Sequence, residues 1–288
     1  MKHVNFVLGY GLGFFLLAGG LVWNTDASGQ AWPNEPPGSQ LITDFSFSTT
    51  GGQGWSYNWW GQIVDDATAP GSPSKVMQYR RPLGSAGAGG DAWYDFPDSN
   101  EIYVGFWWKP SNPFQGWPHL QNKVAFLWGP PGQGQLVWYM FGNERGGPYS
   151  FGVQLETPWS NCHLGSGFGD CPGSYNLFPN RGGGTIALGQ WHRIEIYAKA
   201  SSSTSSRNGI LRWWMDGVLL GDYSTVNLAS PWTWFQFTPA WDSFDSTQTE
   251  EFSHRFDHAR ISKPNGSGSP APASDAQPPA SPTGLRVQ

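Results

Sequence analysis

The sequence predicts an all-β protein, a two-sheet antiparallel sandwich of the jelly-roll kind. Two observations carry this. Short segments in which apolar and polar residues alternate recur along the chain, separated by turns rich in Gly and Pro. Beyond the N-terminal apolar run, no stretch sustains a helical period. Composition agrees: 39 Gly, 24 Pro and 18 Trp against only 13% charged residues describe a chain built of turns and sheet.

Met1-Lys2-His3 opens the chain, and an uncharged apolar run follows from Phe6 to Trp23. Gly29-Gln30-Ala31 then offers the small residues that a signal peptidase reads. Residues 1–31 are therefore read as a secretory signal, with a retained membrane anchor as the alternative. Cleavage makes the protein secreted, extracellular or periplasmic, with no further membrane contact. Residues 32–263 are long enough for one all-β domain. Its strands are expected at 41–47, 61–65 and 75–80, then at 101–109. In the last of these Ile102, Val104, Phe106 and Trp108 face one way, and Tyr103, Trp107 and Lys109 the other. Residues 122–128 follow, then a hairpin of 135–141 and 149–156 around Asn143 to Gly147. In 191–199, Ile194, Ile196 and Ala198 alternate with Glu195, Tyr197 and Lys199. After a serine-rich turn comes 210–215, and Asp216-Gly217 is the strongest short hairpin signal in the chain. Strands at 233–238 and 253–262 complete the body. Residues 264–288 are Pro, Ser, Ala and Gly with few apolar side chains, the composition of a linker or disordered tail.

A formal charge of −5 argues against nucleic acid, whose phosphates need a basic surface. Cys162 and Cys171 flank a glycine-rich loop, and in an exported chain they are expected to form a disulfide. A metal site of Cys162, His163 and Cys171 is the weaker alternative, since that spacing fits no common zinc pattern. A glycoside hydrolase would need two carboxylates on one strand face. The acidic pairs here, Asp65-Asp66 and Glu250-Glu251, are adjacent, so a strand sends their side chains to opposite faces. Three tryptophan pairs are prominent: Trp59-Trp60, Trp107-Trp108 and Trp213-Trp214. On a strand one member can fill the core while the other faces out. An outward indole stacks on the C–H face of a sugar ring, so Trp107 is a candidate glycan contact. The alternative is packing on both faces of a sheet.

The segment from Trp191-His192-Arg193-Ile194-Glu195 to Trp214-Met215-Asp216-Gly217, with the closing strand Phe256 to Ser262, resembles the concanavalin-like jelly rolls. There a "Trp-His-x-x-Glu" strand leads to "Trp-x-Asp-Gly" and the chain soon closes with an Asp-containing strand. The resemblance implies a concanavalin-like β-jelly roll and a carbohydrate partner. It also implies a structural calcium held by a last-strand Asp and a carboxylate near the first strand, here Asp257 and Asp44. An Asp257 satisfied by backbone N–H groups is the alternative.

Residues 103–109 and 121–129 resemble the core of polysaccharide lyases of this fold, such as the alginate and glucuronan lyases. In those, a "Tyr-x-x-x-Phe" strand precedes a loop and "Gly-Gly-Lys-Leu-Pro-Gly-Leu". Lys123 matches that lysine, while Gln121-Asn122 and Val124-Ala125-Phe126 replace its neighbours. Trp138 matches a family tryptophan and Tyr139 stands where an arginine follows it. Tyr149 matches the first residue of a "Tyr-x-Tyr" strand, and Phe151 replaces the second. The activity implied is β-elimination of a uronate-containing glycan. That reaction needs a group to neutralise the uronate carboxylate, a base and an acid, but no cofactor. Gln121, Asn122 and Lys123 are the candidates for neutralisation, with Arg145 a substitute for the missing arginine. Tyr139 and Tyr149 are the candidate base and acid, with His119 and His192 as alternatives. Lys123 and Tyr149 are expected to share one face with Gln121 or Asn122. The competing function is a glycan-binding module without catalysis, stacking its ligand on tryptophan.

Overall fold

The computed structural model describes residues 32–49, 52–57, 61–71, 75–83, 91–116, 121–132, 134–142, 148–156, 177–178, 184–228, 231–238 and 249–265. Among them there is no helix. The strands are β1 (Gln40–Phe45), β2 (Ser56–Tyr57), β3 (Gly61–Val64), β4 (Val76–Arg81), β5 (Ala92–Ser99) and β6 (Glu101–Pro110). Next come β7 (Gln121–Trp128), β8 (Gln135–Gly142), β9 (Tyr149–Glu156), β10 (Leu177–Phe178) and β11 (Thr185–Ile186). The last are β12 (His192–Lys199), β13 (Gly209–Met215), β14 (Val218–Val226), β15 (Trp232–Phe237) and β16 (Phe252–Lys263).

They form two antiparallel sheets of eight strands each, which is the jelly-roll architecture. The first runs β14-β13-β12-β6-β16-β4-β3, with β1 also on β16. The second runs β10-β9-β8-β7-β15-β5-β2, with β11 also on β9. Late strands therefore lie between early ones: β16 sits beside β6, and β15 separates β7 from β5. Such long-range pairing is what brings residues remote in sequence onto one face.

Alternation sets which side of each sheet is dry. Ile102, Val104, Phe106 and Trp108 of β6 point inward with Ile194, Ile196 and Ala198 of β12, and all are buried. They meet Leu136, Trp138 and Met140 of β8 and Phe151, Val153 and Leu155 of β9 from the second sheet. Phe106, Phe235, Phe237 and Phe256 form an edge-to-face and tilted cluster at the centre, with centroids 4.3–6.3 Å apart. Asp216 and Gly217 adopt φ of 53° and 84°, as a two-residue hairpin turn with positive φ at both positions requires.

Two features differ from expectation. β5 arises from Ala92–Ser99, a segment with two aspartates and Pro97 that carries little strand signal, and it pairs with β15. Ala92, Phe96 and Ser99 are its buried positions, and over 92–96 Ala92, Tyr94 and Phe96 face the core with period two. The outer face of the first sheet is also not open throughout. The segment around Trp32 to Glu35 lies on it: the Asn34 backbone and side-chain N–H groups donate to Glu195 at 2.9 and 3.0 Å. Tyr103 donates to the same carboxylate at 2.7 Å and Arg193 at 3.0 Å, so the fully buried Glu195 is satisfied.

Candidate functional site

β7 is the central strand of the candidate site, and its parity decides the chemistry. A register shift between Lys123 and Ala125 puts a bulge at Val124. Val124, Ala125 and Leu127 all enter the main core. Lys123, Phe126 and Trp128 consequently share the outer face, which strict alternation from Lys123 would not allow. Across β8 they lie opposite Tyr139, Val137 and Gln135 respectively.

This outer face is aromatic. Phe126, Val137 and Tyr139 form a second small buried cluster, with Trp128 and Phe141 packed on it. Phe126 and Trp128 stack at 5.1 Å and 9°, and Trp128 stacks on Trp234 of β15 at 4.8 Å and 9°. The Lys123 ammonium lies 5.8 Å from the Phe126 ring centroid, within cation–π range. Gly152, opposite Tyr139, is open so that Phe141 can lie over it: a Cβ there would come within 2.6 Å of that ring.

Beyond Trp234 the face opens into a groove of about 320 Å³ lined by Asp91, Trp93, Asp95, Trp234 and Gln236. Trp128 Nε1 donates to Gln236 Oε1 at 2.9 Å, which fixes the amide orientation. The Gln236 amide and the Thr238 hydroxyl both hydrogen-bond the Asp91 carboxylate. Burial nevertheless pushes Asp91 above the usual carboxylate range, outweighing those two bonds.

The residues singled out from sequence divide between faces. Lys123 and Tyr139 come together on the outer face. Asn122 and Tyr149 do not join them, which corrects the expectation of a shared groove. Asn122 points inward and donates to the Met140 carbonyl at 3.2 Å. Tyr149 is buried beside Phe114, its hydroxyl 3.1 and 3.2 Å from the carbonyls of Phe114 and Gln115. The physical reason is strand parity: Tyr149, Phe151, Val153 and Leu155 form the core side of β9. Gln121 begins β7, and its side chain lies outside the described residues, as do His119, Arg145, Cys162 and Cys171.

His192 and Trp107 belong to the first sheet. His192 is buried, with Nδ1 2.7 Å from Asp216 and Nε2 3.1 Å from the Ala187 carbonyl, so it pins two turns rather than facing a ligand. Burial alone would lower its pKa, but the hydrogen bond and charge of Asp216 raise it overall. Trp107 faces outward, partly exposed, with the Arg193 guanidinium 5.9 Å from its ring. Its neighbour Trp108 fills the core, as the pairing rule predicts. Trp213 and Trp214 are both buried, and Trp59-Trp60 lie outside the described residues.

Asp44 and Asp257 lie on either side of the His258 imidazole. Asp44 Oδ2 accepts from Arg260 at 3.1 Å, and Asp257 Oδ2 accepts from the Gly71 N–H at 2.6 Å. The His258 imidazole stands between the carboxylates, 3.4 Å from Asp44 Oδ1 and 3.8 Å from Asp257 Oδ1. Calcium takes six to eight oxygen ligands. Here a guanidinium takes one oxygen of Asp44 and a backbone N–H one oxygen of Asp257, which leaves the two Oδ1 atoms, beside an imidazole and a guanidinium, to face any cation. Among the described residues no group of three His, Cys, Asp or Glu side chains is disposed to hold a metal.

Asp91, Trp93, Asp95, Trp128, Trp234 and Gln236 were not marked by sequence. The available signal was the period-two pattern of residues 92–96, in which Trp93 and Asp95 alternate with apolar residues.

No family model matches the sequence, and no curated protein matches it. Solved structures do. The alginate lyase Aly36B superposes with a TM-score of 0.54 at 15% identity, covering 79% of this chain and 98% of its own. The endo-β-1,4-glucuronan lyase from the fungus Trichoderma reesei gives 0.54 at 14% identity, covering 78% and 96%. A marine alginate lyase from Aplysia kurodai gives 0.55 at 14% identity, covering 78% and 100%. The fold of this chain is that of the jelly-roll polysaccharide lyases, and at such identities the fold is what is shared.

Proposed function

We propose that this protein is exported, engages a polysaccharide along the outer face of its second sheet and cleaves it by β-elimination next to a uronate. One observation carries the reading: Lys123 and Tyr139 face each other across β7 and β8, on the same face as the stacked Phe126, Trp128 and Trp234. Aromatic rings supply area for the apolar side of sugar rings. Lys123 supplies the cation that neutralises the uronate carboxylate, which makes the adjacent carbon acid easier to deprotonate. Tyr139 enters the step as its phenolate, opposite the Lys123 cation, and takes that proton to become the neutral phenol. The electron pair forms the C=C bond, the glycosidic C–O bond breaks, and the proton passes to the departing oxygen. Tyr139 rather than Tyr149 is the proton carrier in this scheme, since Tyr149 is turned into the core.

The competing reading, a glycan-binding module without catalysis, draws support from the groove beside Trp234, which holds two carboxylates. The test is incubation with uronate and neutral polysaccharides, following absorbance of unsaturated ends and retention in parallel. Lys123→Ala and Tyr139→Phe should each cut product formation by roughly 10²-fold or more while leaving the unfolding midpoint near that of the wild type. If no uronate polymer gives unsaturated ends while a neutral glycan is retained, the chemistry is absent and the binding module is the function.

A further inference from the structure

We propose that the groove between β15 and β5 is a subsite for an uncharged sugar residue, stacked on Trp234 and held through its hydroxyls by Asp95 and Asp91. This deepens the reading above and rests on it for the path of the glycan across this face. It adds what a uronate lyase does not need: a neutral residue in the ligand, set apart from the Lys123–Tyr139 pair.

Three features converge. Trp128 covers one face of Trp234, and β5 runs along the other side, where the groove lies. Trp234 pairs with Asp95 and Gln236 with Trp93, so indole and carboxylate alternate around one opening. An indole face next to hydrogen-bond acceptors matches a pyranose, which has an apolar C–H face and a rim of hydroxyl donors.

The polar groups are held in place. Trp128 fixes Gln236, and Gln236 with Thr238 fixes Asp91. Asp95 is exposed at the rim and within reach of solvent. A volume of about 320 Å³ lies at the low end of small-ligand sites and suits one sugar unit rather than a folded partner.

Charge selects the class. Among the described residues no Lys or Arg lines the groove, and two aspartates do. A uronate carboxylate placed there would meet like charge in a partly desolvated site, whereas a neutral hexose or pentose would only donate hydrogen bonds. From strand spacing, the groove lies roughly 10–15 Å from Lys123, a few sugar residues along the same chain. The ligand implied is a heteropolysaccharide that carries uronate and neutral residues together.

The experiment is titration of the full chain, followed by tryptophan fluorescence, with neutral β-1,4-linked oligosaccharides and with uronate oligosaccharides, each in EDTA. Wild type should bind a neutral oligomer. Trp234→Ala should weaken it about five-fold or more. Asp95→Asn, an exposed change that keeps the fold, should weaken the neutral oligomer several-fold and narrow its advantage over the uronate. Equal binding of both oligomers, indifference to both substitutions, or a requirement for a cation that EDTA removes would each overturn the proposal. Unsaturated ends measured on the same preparation separate the two ideas. Cleavage with an indifferent groove defeats the subsite alone, and groove-dependent neutral binding without cleavage defeats the elimination alone.

Discussion

Tyr149 shows how much a single side chain's direction decides. Its hydroxyl is buried against the carbonyls of Phe114 and Gln115. Removing it strands those acceptors, so Tyr149→Phe should cost about 1–2 kcal/mol. That is read as a lower denaturant midpoint with unsaturated-end production retained. Lost production at unchanged stability would return Tyr149 to the reaction. His258 makes a second prediction at this scale. Burial pushes its imidazole down, but the Asp257 and Asp44 carboxylates outweigh burial and raise its pKa above the ordinary value. At 3.8 Å the Asp257 contact is an ion pair without a hydrogen bond. A raised pKa in the folded state means stability fully present below about pH 6.5 and lost as pH rises through the folded value. The stability difference between wild type and His258→Gln should therefore be larger at pH 5.5 than at pH 8.5, and a flat difference would refute the charged bridge. His254 acts in the opposite sense: burial, then the Arg81 charge, lower it to about 3, and Trp108 Nε1 donates to its Nδ1. Protonation of the unfolded chain thus costs stability below about pH 6.5 at His254, which is why the difference and not the raw profile isolates His258.

Among elements, β6 carries an unusual close approach. Gly105 lies under the Trp32 ring, and a Cβ there would stand 2.6 Å from it. The indole covers the first sheet only because that position is bare. Gly105→Ala should push Trp32 off the sheet, cost about 1–3 kcal/mol and make the segment before Gln40 open to protease. Unchanged proteolysis would show that the segment is held without the indole. The β7 bulge acts on function in the same local way. One unpaired residue, Val124, moves Phe126 and Trp128 to the side of Lys123. Alternation readily placed the β6 and β12 faces, because those strands are regular. It could not place the face of Lys123 relative to the aromatic residues after it, because a bulge is fixed by packing on both sides of the sheet. β5 escaped notice for a related reason. Its aspartates and Pro97 depress strand propensity, and its pairing with β15 across more than a hundred residues overrides that.

On the scale of the whole molecule, the two sheets are not equivalent. The first has its outer face covered in part by Trp32 to Glu35, which complete the shell around Glu195. The second leaves Trp93, Trp128 and Trp234 partly exposed beside an open groove. A bound glycan should therefore protect those three indoles from oxidative footprinting while leaving Trp107 as reactive as in the free protein. Protection of Trp107 alone would put the ligand on the other sheet. Sequence by itself determined the all-β class, most of the strands, the inward faces of β6 and β12, and Lys123 as a residue to watch. The class, strands and faces follow from local alternation and turn chemistry, which a linear reading can see, and Lys123 from the resemblance of its segment to the lyase motif. Only the tertiary structure decided that Tyr139 and not Tyr149 meets Lys123, that Asp44 and Asp257 flank an imidazole, and that Asp91, Trp93 and Asp95 adjoin Trp234. Each of those depends on a bulge or on strands remote in sequence lying side by side, and neither leaves a local pattern to read.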